Sequence, residues 1–128
     1  MNVVTRSLMA AGLLVYAAIH FSQAASPPDG APTWLRIMFF LTAGVAAVLA
    51  GGLFFRPPGD NELWKDAAAA LALASAVALL LSQTTGFLGV DESDLRSSTF
   101  GVLVAESMVL ISWVVGRVVG HRFDEVDA

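Results

Sequence analysis

An all-α fold is what this sequence predicts: a four-helix transmembrane bundle, up-down-up-down, with both termini cytoplasmic. Three observations point there. Hydrophobic residues make up 56% of the chain and charged residues only 14%, against about 25% charged in a soluble domain. Four apolar runs reach the roughly 20 residues that a helix needs to cross a bilayer. Three short polar breaks separate them.

The first run covers roughly residues 4–25. A secretory signal peptide is its rival reading, with Arg6 as the charged start and "SQAAS" as a cleavage site. Tyr16 and His20 fit such a segment poorly, and the run is long for one, so the span is preferred. "SPPDGAP" then stops the helix with three prolines and a glycine. The second run, roughly 34–55, opens on Trp34, and the third, roughly 64–88, opens on Trp64. Tryptophan at a span's start reads as an interfacial anchor. "RPPGDNE" separates these two, and "GVDESDLR" precedes the fourth run, roughly 98–119. Such short connections make neighbouring helices antiparallel. They leave no room for a soluble core, so residues 1–128 read as a single integral membrane domain. Asp124, Glu125 and Asp127 form a short acidic tail, read as solvated.

Orientation follows the basic residues. Arg6, Arg56, Lys65, Arg117 and Arg122 fall on one side, Arg36 and Arg96 on the other, which places both termini inside a cell (plasma) membrane. Because lipid gives helices no hydrophobic reason to associate, small residues must allow close packing. Four-residue steps of them occur at Ala43, Ala47 and Gly51, at Ala68, Ala72 and Ala76, and at Ser112, Gly116 and Gly120. The bland reading is packing within the bundle. Gly116 and Gly120 are also the best candidates for an interface with a membrane-protein partner or a second copy.

Composition excludes several chemistries. Without cysteine there is no disulfide, thiolate zinc site, iron–sulfur cluster or cysteine nucleophile. A net charge of −4 argues against nucleic acid as a partner, since phosphate binding needs a basic patch. The lipid bilayer is the one partner that the sequence names outright. His20 and His121 fall at opposite membrane faces, so one chain cannot hold a haem through both. His20 with Glu106 makes an incomplete metal set. No cofactor follows from the residues.

Polar residues collect in the outer half of the bundle. A rise of about 1.5 Å per residue puts His20 and Gln83 each about 7 Å below the outer surface, and Glu106 about 12 Å below it. Arg36 sits near the outer end of the second span. Thr84 and Thr85 add hydroxyls beside Gln83. An intramembrane carboxyl is expensive and should face inward toward a partner. His20, Arg36 and Gln83 are its expected partners, and "QTTG" reads as lining of the same pocket. The bland alternative is one interhelical hydrogen bond, with threonines bonded back to their own helix. Asp91, Glu92 and Asp94 lack the spacing of a calcium loop and read as a solvated turn.

At "YAAIH" and "SQTTGFLG" the chain resembles small four-helix integral membrane proteins of high-GC bacteria. The resemblance rests on Tyr16 and His20, on Ser82, Thr84, Gly86 and Gly89, and on the acid Glu106. Gln83 departs from it, where arginine often follows the serine. It implies the four-span layout and carries no activity.

The leading functional expectation is a small accessory or interaction protein of the membrane, with a polar pocket in the outer half of the bundle. The alternative is a small-molecule, proton or metal-ion binding protein, or a transporter component, using His20, Gln83 and Glu106. Enzymatic catalysis ranks last, because no motif assembles a nucleophile, base and acid.

Overall fold

The computed structural model describes residues 3–27, 29–57, 62–85 and 96–126, with the side chains at 82–85, 96–100 and 121–126 not described. The fold is all-helical: α1 (Val3–Ala25), α2 (Thr33–Phe55), α3 (Glu62–Thr85) and α4 (Arg96–Val126). All four are long and apolar enough to cross a membrane. Twenty-three residues, the length of α1 and of α2, make a helix about 34 Å long, slightly more than a bilayer's hydrocarbon core.

The helix ends follow from local chemistry. Pro32 precedes α2 in an extended conformation, with φ −68° and ψ 148°. Arg56 ends α2 with ψ again at 148°, because the ring of Pro57 disfavours helical geometry in the residue before it. Gly30 turns the α1–α2 connection at φ +78°, a left-handed conformation that glycine adopts without steric cost. α4 runs past the predicted limit of 119 to Val126. The apolar span ends near Gly120, but "GHRFDEV" contains no proline, so nothing in the sequence compels the helix to stop there. The last residues predicted for the third span, 86–88, and the acids Asp91, Glu92 and Asp94 lie outside the described residues.

α1 is the organising helix. It packs along both α2 and α4, while α3 leans mainly on α4 and meets α2 only sparsely. Met9, Leu13, Tyr16 and Ala17 of α1 enter a core shared with Ala46, Ala50 and Leu53 of α2 and with Val102, Ala105 and Val109 of α4. The α1–α4 seam is close because Gly12 lacks a side chain. A Cβ there would come within 2.9 Å of Val109 Cγ2 and 3.1 Å of the Ala105 carbonyl oxygen. Gly101 plays the same part farther along α4, where a Cβ would meet Ile19 Cδ1 at 2.9 Å.

The small-residue steps need one correction. Ala43 is buried, but Ala47 is exposed and a Cβ on Gly51 would meet open space. The buried face of α2 is Ala43, Ala46, Leu49, Ala50 and Leu53. With 3.6 residues per turn, a buried face alternates steps of three and four, and uniform four-residue steps drift off it. Gly52, not Gly51, is the close approach, since a Cβ there would collide with the Trp64 indole. On α3, Ala68 and Ala72 are buried and Ala76 is half-buried.

Basic and aromatic groups converge where the start of α1, the end of α2, the start of α3 and the later part of α4 meet. Arg6 donates to the Leu53 carbonyl at 3.0 and 2.7 Å, to that of Phe54 at 3.2 Å and to that of Arg56 at 2.9 Å. These are among the last carbonyls of α2 and of its cap, which have no intrahelical donor. Arg56 lies over the Trp64 ring at 4.8 Å. Asp66 accepts from Trp113 Nε1 at 2.9 Å and from Arg117 at 2.6 and 2.8 Å. Lys65 pairs with Glu62 one turn back.

Candidate functional site

Glu106 is the centre of the candidate site. α4 turns it inward between Ala105 and Val109, and it is only 2% exposed. Leu13 and Tyr16 face it from α1, and Leu71 and Ala72 from α3, around a narrow gap. The gap has no room for a water molecule. Neither carboxyl oxygen has a hydrogen-bond partner. The hydroxyls of Tyr16 and Ser75 are the polar groups nearby, but Ser75 does not close a hydrogen bond to the carboxyl. An unsatisfied polar group in a dry interior costs about 1–3 kcal/mol, and more when charged.

Two of the partners expected for Glu106, His20 and Arg36, are engaged elsewhere. His20 is buried on α1 one turn from Tyr16. Its ring stacks on the Tyr16 ring, with centroids 4.1 Å apart and planes at 27°. Its Nδ1 lies 3.0 Å from the Tyr16 carbonyl oxygen. A carbonyl only accepts, so this bond requires the proton on Nδ1. Phe39 of α2 closes the ring's edge at 5.4 Å. His20 is therefore held within an aromatic stack, away from the carboxyl. Arg36 is exposed, with its guanidinium 5.9 Å from the Phe40 ring. Thr42 donates to the Met38 carbonyl at 2.6 Å, the back-bonding expected of a hydroxyl in a membrane helix. The side chains of Gln83, Thr84 and Thr85 lie outside the described residues. Gly116 is half-buried and Gly120 exposed, and a Cβ on Gly120 would meet open space.

Sequence reasoning overlooked two residues here. Tyr16 lies four residues before His20, so it is about 6 Å deeper, at the level already estimated for Glu106. The same arithmetic that set His20 beside Gln83 therefore sets Tyr16 beside Glu106. Ser75 is the one hydroxyl in "AAAALALASAVALLL", a polar exception in a run where alanine or leucine would serve packing. Gln23, inside the first span and named in the sequence only within "SQAAS", is a third polar group. Its Oε1 is buried without a partner.

The arrangement can hold a proton on the carboxyl. For a metal it is poor, since among the described residues no three of His, Asp and Glu stand together. Comparison of the chain with protein-family models, with curated proteins and with solved structures finds no match in any of the three.

Proposed function

We propose that this chain is a multi-pass protein of the cell membrane that binds a proton at Glu106, in the interior of an up-down-up-down bundle with both termini cytoplasmic. One observation carries the binding site: a carboxyl 2% exposed, with both oxygens unpartnered in an apolar gap. Leaving such a group charged in a bilayer costs roughly 2.5 to 3.5 kcal/mol or more at the centre. Holding a proton removes most of that cost. An intramembrane acid is by default a functional group, and leucine at this position would serve packing better.

The topology draws support from paired contacts. Arg6 meets the end of α2, Asp66 meets Arg117, and Ile19 and Gly12 lie against Gly101 and Val109 respectively. The excess of Lys and Arg on the terminal side supports a cytoplasmic location. The chain lacks cysteine, so single cysteines placed in each connection report their own side to a membrane-impermeant thiol reagent. Labelling of the 26–32 connection from outside and of the 56–62 connection only after permeabilisation is expected.

Infrared spectroscopy tests the proton site. A carbonyl stretch of a protonated carboxyl at neutral pH, lost in Glu106→Gln, is expected. Its absence in the wild-type protein would overturn the reading.

The accessory-protein reading stands second. One observation favours it: α2 turns Ala47 and the open sides of Gly44 and Gly51 outward, a surface against which another helix could pack closely. A stoichiometric partner recovered from native membranes in mild detergent would raise it to first.

A further inference from the structure

The gap at Glu106 has walls of unequal strength. α1 and α4 are pressed together through Gly12, and α2 is packed along α1. α3 closes the gap from the remaining side, and among the described residues it is the helix with the fewest attachments. It leans on α4, meets α2 sparsely, and its backbone hardly approaches that of α1. Parting α3 from the other helices opens the space in front of Glu106 without breaking the α1–α4 seam.

Three features of that space bear on what would fill it. The walls from Leu13, Leu71, Ala72 and Val109 are apolar. They offer nothing to a hydrated metal ion or to a sugar. The carboxyl is 98% removed from solvent, with both oxygens free, so it is an acceptor for a positive charge and has no cation of its own. The Tyr16 ring stands beside it, and an aromatic face attracts a quaternary ammonium or similar soft cation. An anion would meet no basic group in the lining, and a neutral apolar molecule would leave the carboxyl as unpaired as before.

We infer that the seam between α3 and the α1–α4 pair is a binding site for a lipophilic organic monocation, which exchanges with the proton on Glu106. This rests on the proton-binding reading above. The exchange balances: the cation enters, the carboxylic O–H bond breaks, the electron pair stays on the carboxylate, and one proton leaves to water. Among the described residues, Tyr16 on α1 is the titratable group facing Glu106, with His20 one turn beyond it. Ser75 faces it from α3 and does not titrate near neutrality. α2 contributes no residue to the gap. Cation and proton compete for one carboxyl, so binding tightens as pH rises.

Benzyltrimethylammonium is a suitable probe, and neopentylbenzene is its uncharged isostere. Calorimetric titration of the purified full chain in detergent should give saturable binding of the cation that is tighter at pH 8 than at pH 6. Glu106→Gln should weaken it at least tenfold with helicity unchanged, and the isostere should not bind saturably. Leu71→Trp fills the gap from the α3 side with the carboxyl intact, and should abolish binding even if Glu106→Gln proves unable to fold. No saturable binding to the wild-type chain, binding to folded Glu106→Gln or Leu71→Trp as tight as to the wild-type chain, or equal binding of the isostere would overturn the inference. The infrared band separates the two readings. If the protonated carboxyl is present and the cation does not bind, only the cation site fails. If the band is missing, both fail.

Discussion

α1 and α3 are similar in length and both are apolar enough to cross a membrane, yet they are held quite differently. α1 buries residues along its whole length, from Thr5 to Ala24, and two helices pack along it. α3 buries Lys65, Ala68, Ala69 and Ala72 among its described residues and relies chiefly on α4. The polar groups follow the same division. On α1, Arg6 satisfies carbonyls of α2 and His20 is bonded to its own helix. Where α3 closes the molecule, Glu106 is left with neither oxygen bonded. The division is not complete, since Gln23 Oε1 on α1 is also buried without a partner and Asp66 on α3 is bonded, but only at Glu106 do both oxygens of a buried carboxyl go unbonded among the described residues. Proteins that depart from their own packing rules tend to do so at functional sites.

The comparison can be broken most severely at Gly12. Gly12→Leu forces a side chain into Val109 and the Ala105 backbone, and should cost about 3 kcal/mol, as overpacking does. Ala72→Val, which adds methyls at the narrow gap, should cost less, about 1 kcal/mol, because α3 has fewer neighbours and can shift outward to admit them. Reversible unfolding in mixed micelles measures both. Equal penalties would mean that the α3 side is packed as tightly as the α1 side. Arg6→Ala should cost about 1.5 kcal/mol, the lower end for charge-assisted hydrogen bonds, and should speed amide exchange at the end of α2. The smallest effect belongs to Asp66 and Arg117. Their pair is nearly half exposed on both sides, so a double-mutant cycle should return the weakest coupling of the set, reduced further by salt.

The four helices were legible because an apolar run of about 20 residues needs no knowledge of its surroundings. The breaks were legible because proline and glycine act locally. Relative height along the bundle was legible too, since rise per residue is fixed, and Glu106 does lie at the level of Tyr16. What the sequence could not provide was rotation about each helix axis. Depth alone assigned Glu106 to His20 and Arg36, but rotation turns Arg36 outward over Phe40 and folds His20 against Tyr16. The stripe Ala43, Ala47 and Gly51 failed for the same reason, because small residues lie on several sides of α2 and only contact selects among them. Arg6 read as a topology marker, and its bonds to α2 carbonyls depend on a tertiary approach that no local pattern encodes.

The central claim is that Glu106 is a buried carboxyl without a partner, kept at a cost to the fold. Glu106→Met tests it most directly, because methionine has similar bulk and no hydrogen-bonding demand. Measured by reversible unfolding in mixed micelles, the variant should be more stable than the wild-type chain by about 1–3 kcal/mol, the penalty of an unsatisfied buried group. A loss of stability of that size would contradict the account, since it would show that the carboxyl makes bonds the fold depends on.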